Sequence, residues 1–236
     1  AGTYFRSPAA DIVLLRQRDG VVGDAQFALQ YDNRGANIRA RLDLDRESRT
    51  YSATLDFRNI EPAIFAPSLP EIAPLAAIRL PLRGNLTLSG DLDGTIERIG
   101  FDVAGGAGKL DIKEFYPEPL SVGGLQLRGS IRDDLRQVVL DEAVVDLDGP
   151  TLRASGSFAN DETELSLGLT GRLEGMPMAD LDRYWPPGLA PAARKWVTEH
   201  MRNGQADVAT IEMALRRAKD RSNRVTLDSI GGTLEY

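Results

Sequence analysis

The sequence contains no cysteine. Disulfide frameworks, thiolate metal sites and cysteine nucleophiles are therefore excluded, which is compatible with an oxidising compartment. It has one histidine, His200, so neither a nucleophilic triad nor a two-histidine metal centre can be assembled. Positive charge is also scarce: 28 basic residues stand against 35 acidic ones, for a net charge of −7. Only Lys109, Lys113, Lys195 and Lys219 are lysines, and the arginines are scattered along the chain. No nucleic-acid partner is expected, because a phosphate backbone requires a clustered basic footprint. No apolar run approaches the roughly 20 residues of a membrane-spanning helix, and no signal peptide is visible. Aromatic residues make up 6% of the chain.

What is abundant is alternation of period two, the mark of strands with one apolar face. In LPLRGNLTLSGDL, Leu80, Leu82, Leu86, Leu88 and Leu92 share a phase with Gly84 and Gly90. Arg83, Asn85, Thr87 and Ser89 take the other phase. The pattern recurs in Ile38-Ala40-Leu42, Tyr51-Ala53-Leu55-Phe57, Ile99-Phe101-Val103, Leu125-Leu127-Ile131, Leu165-Leu167-Leu169-Leu173 and Ile211-Met213-Leu215. Turn signals such as Asp93-Gly94, Gly123-Gly124 and Asp148-Gly149-Pro150 separate the runs, which implies antiparallel neighbours. An apolar-x-Gly-x-apolar unit places Gly90, Gly129, Gly156 and Gly171 in the apolar phase. Glycine inside a strand marks a bend or a close approach, so the sheet is expected to curl toward its apolar side and to leave room there for acyl chains.

Two segments break the pattern. Prolines in EPAIFAPSLPEIAPLAAI allow only short helical turns near 61–78. In RYWPPGLAPAARKWVTEHMRNG, which holds both tryptophans, Pro191 suits a helix start and Gly204 a helix end. Ala193, Trp196, Val197, His200 and Met201 recur at spacings of three and four, which predicts a short amphipathic helix near 191–203. Large aromatics on such a helix more often fasten it to a sheet than bind a sugar or headgroup, so Trp185 and Trp196 are read as fasteners.

Sequences that suggest chemistry are weak. VAGGAGKLD has Gly108-Lys109, but Val103 and Leu110 stand where a phosphate loop needs glycine and a hydroxyl. The pairs Asp91/Asp93 and Asp146/Asp148 lack the ligand number of a calcium loop and read as hairpin turns. No constellation for catalysis, no metal site and no cofactor site is assembled, and a non-catalytic role is expected.

Leu181, Tyr184-Trp185-Pro186, Arg194-x-Trp196-Val197 and Gly204, with flanking strands such as GNLTLSGDLDGTIERIGFDVAGGAGKL, resemble the AsmA-like (DUF3971) family of Gram-negative envelope proteins. The resemblance covers most of the chain from about residue 20. It implies a periplasmic segment of an inner-membrane-anchored protein, with phospholipid or another acyl-chain lipid as ligand and envelope proteins as possible partners. It implies no catalytic residues.

The expected fold is mainly β: a long curled antiparallel sheet forming an open groove, with the helix near 191–203 and the turns near 61–78. Residues 1–236 form one segment, with strands over 20–180, a helical insert over 181–204 and further strands after it. The chain begins without methionine and stops within an alternating run, so it is expected to be a piece of a longer protein. The groove lining is expected to be Leu82, Leu86, Leu88, Leu92, Ile99, Phe101, Val103, Leu125, Leu127, Leu165, Leu167 and Leu169. Alternation looks the same in a closed β-sandwich, and a sandwich acting as a scaffold through protein contacts is the alternative.

Overall fold

A computed structural model describes residues 6–31, 34–66, 75–113, 115–134, 136–188, 190–201, 203–219 and 225–235. The alternating runs form β1 (Arg6–Arg16), β2 (Gly20–Tyr31), β3 (Arg34–Asp45), β4 (Thr50–Ile60), β6 (Leu82–Asp91) and β7 (Ile96–Gly105). They continue as β10 (Gly124–Arg132), β11 (Gln137–Asp146), β12 (Thr151–Asn160), β13 (Glu164–Pro177), β14 (Gln205–Ala218) and β15 (Val225–Glu235). These make one 12-stranded sheet in the order β1-β2-β3-β4-β6-β7-β10-β11-β12-β13-β14-β15. The sheet does not close on itself, so the sandwich alternative is not this fold. The strand region starts at Arg6 rather than near residue 20, because β1 pairs with β2.

Every adjacent pair is antiparallel, and the register preserves the phase seen in the sequence. One row of opposed residues runs Leu14–Gly23–Leu42–Ala53–Leu88–Ile99–Ile131–Val138–Phe158–Leu167–Leu215. The next row runs Ile12–Ala25–Ala40–Leu55–Leu86–Phe101–Gly129–Leu140–Gly156–Leu169–Met213. Both rows are apolar or glycine throughout. The opposite face carries polar side chains, with the cross-strand ion pairs Arg41–Asp24 and Arg128–Glu142. A bulge in β11 at Asp141–Glu142 lets β10 and β12 keep this phase.

The second sheet is small: β5 (Ile78–Arg79), β8 (Gly108–Leu110) and β9 (Leu120–Val122). Helical pieces are α1 (Pro62–Phe65), a 3-10 turn at Met178–Asp180, α2 (Leu181–Tyr184) and α3 (Pro191–His200). A further turn spans Leu75–Ala77, while residues 67–74 of the expected helical region lie outside the described residues. The inserts interrupt the meander at one end of the strands, where β6, β10 and β14 begin and β4, β7 and β13 finish.

The main core lies at that end. Leu80 is fully buried, with Leu82, Val103, Val122, Leu125, Val145, Leu147, Met176, Met178, Leu181, Tyr184 and Ala206 around it. A second knot closes the same end of β2, β3 and β4. Tyr31 meets Phe65 edge-on at 5.4 Å and donates its hydroxyl to the Asn59 carbonyl at 2.6 Å. The three-stranded sheet and the helices thus form a cap over one end of the apolar face.

Candidate functional site: an apolar face with one capped end

Away from the cap, the apolar face is only half covered. Leu86, Leu88, Ile99, Phe101, Leu127, Leu165, Leu167 and Leu169 are all half-buried and share the phase of the two rows above. The face spans roughly 50 Å across the strands at the ordinary spacing of neighbours. Three of the expected lining residues fall elsewhere: Leu82, Val103 and Leu125 are buried beneath the cap. Leu92 has left the strand. β6 ends at Asp91, and Leu92 donates its backbone N–H to the Arg49 carbonyl at 2.9 Å in the turn, 38% exposed.

The glycines on this face do not leave open space for a chain. A methyl group placed on Gly129 would fall 2.6 Å from Phe101 Cζ, and one on Gly90 would fall 2.7 Å from the Tyr51 hydroxyl. Gly84 and Gly156 lie against neighbouring backbone, and at Gly129 and Gly90 a large side chain of a neighbouring strand also closes in. The expectation that these glycines make room for ligand is corrected.

The cap is held by polar contacts the sequence only partly disclosed. Arg194 donates from Nε to the Trp185 carbonyl and from Nη2 to the Asp182 carbonyl, both at 3.1 Å, and pairs with the Asp182 carboxylate at 2.9 Å. It thereby satisfies carbonyls at the C-terminal end of α2, which the short helix leaves without partners. Tyr184 is buried and donates to the Leu147 carbonyl at 3.0 Å. Tyr116, which the sequence did not single out, donates to the Tyr184 carbonyl at 2.7 Å. Burial holds its phenol above the ordinary pKa, so it remains a donor. Leu181 is buried, Trp185 packs partly buried against the core and Pro186 is half-buried beside it.

Trp196 is not a fastener. It is 58% exposed and stacks on His200, ring centroids 5.0 Å apart. The helix face turned inward carries Arg194, Val197 and Met201, the spacing 194/197/201 that brings the guanidinium to α2. Ala193, Trp196 and His200 therefore point outward. The helix ends at His200 with Met201 as its cap. Gly204, at φ +94°, sits in the turn into β14, where its carbonyl accepts the Met178 N–H at 3.1 Å. It does not cap the helix.

The remaining candidate chemistry resolves into turns. Asp91 accepts the backbone N–H groups of Asp93 and Thr95, and Asp146 accepts that of Asp148. No carboxylate or histidine cluster suited to a metal occurs among the described residues. The stretch around Gly105–Gly108 leads into a strand, and both glycines are packed against Leu80. No helix of the described residues is long and apolar enough to cross a membrane.

On the polar face, a separate concavity of about 960 Å³ lies over β1, β2, β3, β4, β6 and β7. Its walls include Asp11, Arg39, Asp56, Arg58, Arg83 and Asp102. No family model, no curated protein and no solved structure matches the chain.

Proposed function

We propose that this chain is a non-catalytic, lipid-binding and lipid-conducting stretch of β-groove. The observation that carries the reading is the apolar face: eleven consecutive strands are in apolar register, mostly half-buried from β2 to β14 and exposed on β1, with a cap over one end. Aliphatic side chains dominate it, so contact with an acyl chain is non-directional, at about 25 cal/mol per Å² removed from water. Such a face suits chains of varied length better than one shaped ligand. The resemblance to AsmA-like proteins extends the reading to a periplasmic segment of an inner-membrane-anchored protein that moves phospholipid toward the outer membrane. The test is binding of a phosphatidylethanolamine carrying a fluorescent acyl chain. Leu88→Asp with Leu167→Asp, which charge the open rows but leave the cap untouched, are expected to abolish the signal in a folded protein. Undiminished binding by that variant would refute the assignment of this face.

A specific observation favours a second reading, protein contact through strand addition. Edge strand β1 exposes Ile12, Val13, Leu14 and Leu15, each more than half accessible, on both of its faces. Unprotected apolar edges are templates for another strand.

A further inference from the structure

We propose that the polar face carries an anion site, built on Arg58 and Arg83, that takes a phosphate-type oxyanion. It lies on the opposite side of the sheet from the lipid-binding rows and does not rest on that reading.

Arg58 on β4 and Arg83 on β6 are directly opposed in register. Like charges in that relation destabilise an antiparallel pair. The same opposition recurs at Arg98–Arg132 and at Arg153–Arg172, where Glu174 pairs with both arginines, while Arg41 meets Asp24 and Arg128 meets Glu142. Arg58–Arg83 is the opposed pair that lines the concavity. Among the described residues no carboxylate lies within ion-pair distance of Arg58 or Arg83. The nearest candidate by position is Asp56, two residues along β4, and its carboxylate instead accepts from the Asn85 amide at 2.9 Å. The two arginines thus stand opposite each other on neighbouring strands, with no carboxylate partner for either among the described residues.

Their surroundings make room for a ligand. Both arginines line the concavity of about 960 Å³. In the same row, Asn37 stands opposite Arg58 and offers an amide, while Ala28 and Ala104 flank the row on either side. Small side chains there keep the trough open over the guanidiniums. Two forks of N–H donors on neighbouring strands suit the oxygens of a tetrahedral oxyanion. The neighbouring row, about 7 Å away along the strands, holds Asp56 and Asp102. A ligand whose phosphate is joined to an ammonium group would meet complementary charge there as well. The chemistry is that of a phosphate, whether free or carried by a zwitterionic headgroup.

The experiment titrates the full chain with inorganic phosphate and, separately, with glycerophosphoethanolamine, at fixed ionic strength and neutral pH, by calorimetry. Binding is expected, weakened about tenfold or more by Arg58→Gln or Arg83→Gln and lost in the double variant. Tighter binding of glycerophosphoethanolamine than of phosphate identifies a headgroup site; equal or weaker binding identifies a free-phosphate site. Without ligand, each single variant is expected to unfold at the same or a higher denaturant concentration, because a like-charge opposition is removed. Three results would overturn the proposal: no heat with either probe, equal binding by wild type and the double variant, or single variants less stable than wild type without ligand.

Discussion

The roles of Arg194 and Trp196 separate sharply under substitution. Arg194→Ala removes two charge-assisted hydrogen bonds to carbonyls at the end of α2 and one ion pair with Asp182. The Asp182 side chain is 68% exposed, so the ion pair itself adds at most about 1 kcal/mol. The bonds to the two carbonyls carry the rest, and the total is expected near 2–3 kcal/mol. Trp196→Ala removes a side chain that is 58% exposed and stacks only on His200. Its cost is expected within about 1 kcal/mol, not the 3–5 kcal/mol that a core tryptophan would carry. Both tryptophans lie in the cap, so urea unfolding followed by fluorescence reports the cap alone, while far-ultraviolet circular dichroism reports the sheet. Trp185 remains as reporter in the Trp196 variant. Arg194→Ala is expected to shift the fluorescence midpoint well below the dichroism midpoint. A larger loss from Trp196→Ala than from Arg194→Ala would refute the orientation of α3 and the capping role of Arg194.

Further consequences follow from the same contacts. Gly129→Val drives a side chain against the Val139 carbonyl and the Phe101 ring and is expected to cost roughly 1–3 kcal/mol by overpacking, read as a lowered urea midpoint. Asp45 and Asp91 hold their carboxylates below the usual range, chiefly through the backbone N–H groups of Ser48 and Thr95 respectively. Their folded values lie below the unfolded value of about 3.9, so the stabilisation is complete above that value and is lost as pH falls through the folded ones. A carboxyl NMR titration should therefore place both midpoints below those of ordinary exposed aspartates. Val13→Lys with Leu15→Lys charges only the exposed edge of β1; it should leave the urea midpoint unchanged and reduce concentration-dependent association in sedimentation.

Much of the sheet was legible because period-two alternation is a local property. Leu86, Leu88, Ile99, Phe101, Leu127 and Leu167 share a phase in sequence, and antiparallel register converts that phase into a face. The cap was not legible, since it joins segments far apart: Tyr116 meets Tyr184, and Tyr184 meets Leu147. Helical spacing placed Trp196 inward because it is apolar. The orientation of α3 is set instead by open carbonyls on α2, which no periodicity encodes. The in-phase glycines were visible, but their tenants were not, because Phe101 reaches Gly129 from a neighbouring strand. The opposition of Arg58 and Arg83 likewise needs the register of β4 against β6 across an insert of more than 20 residues, and alternation alone does not fix it.

The most direct test of the lipid-groove reading is native mass spectrometry of the protein isolated under mild conditions from a Gram-negative periplasm. The account predicts adducts at phospholipid masses on the folded protein, lost when Leu88 and Leu167 are both replaced by aspartate. A bare mass from folded protein that also takes up no added phospholipid would contradict it.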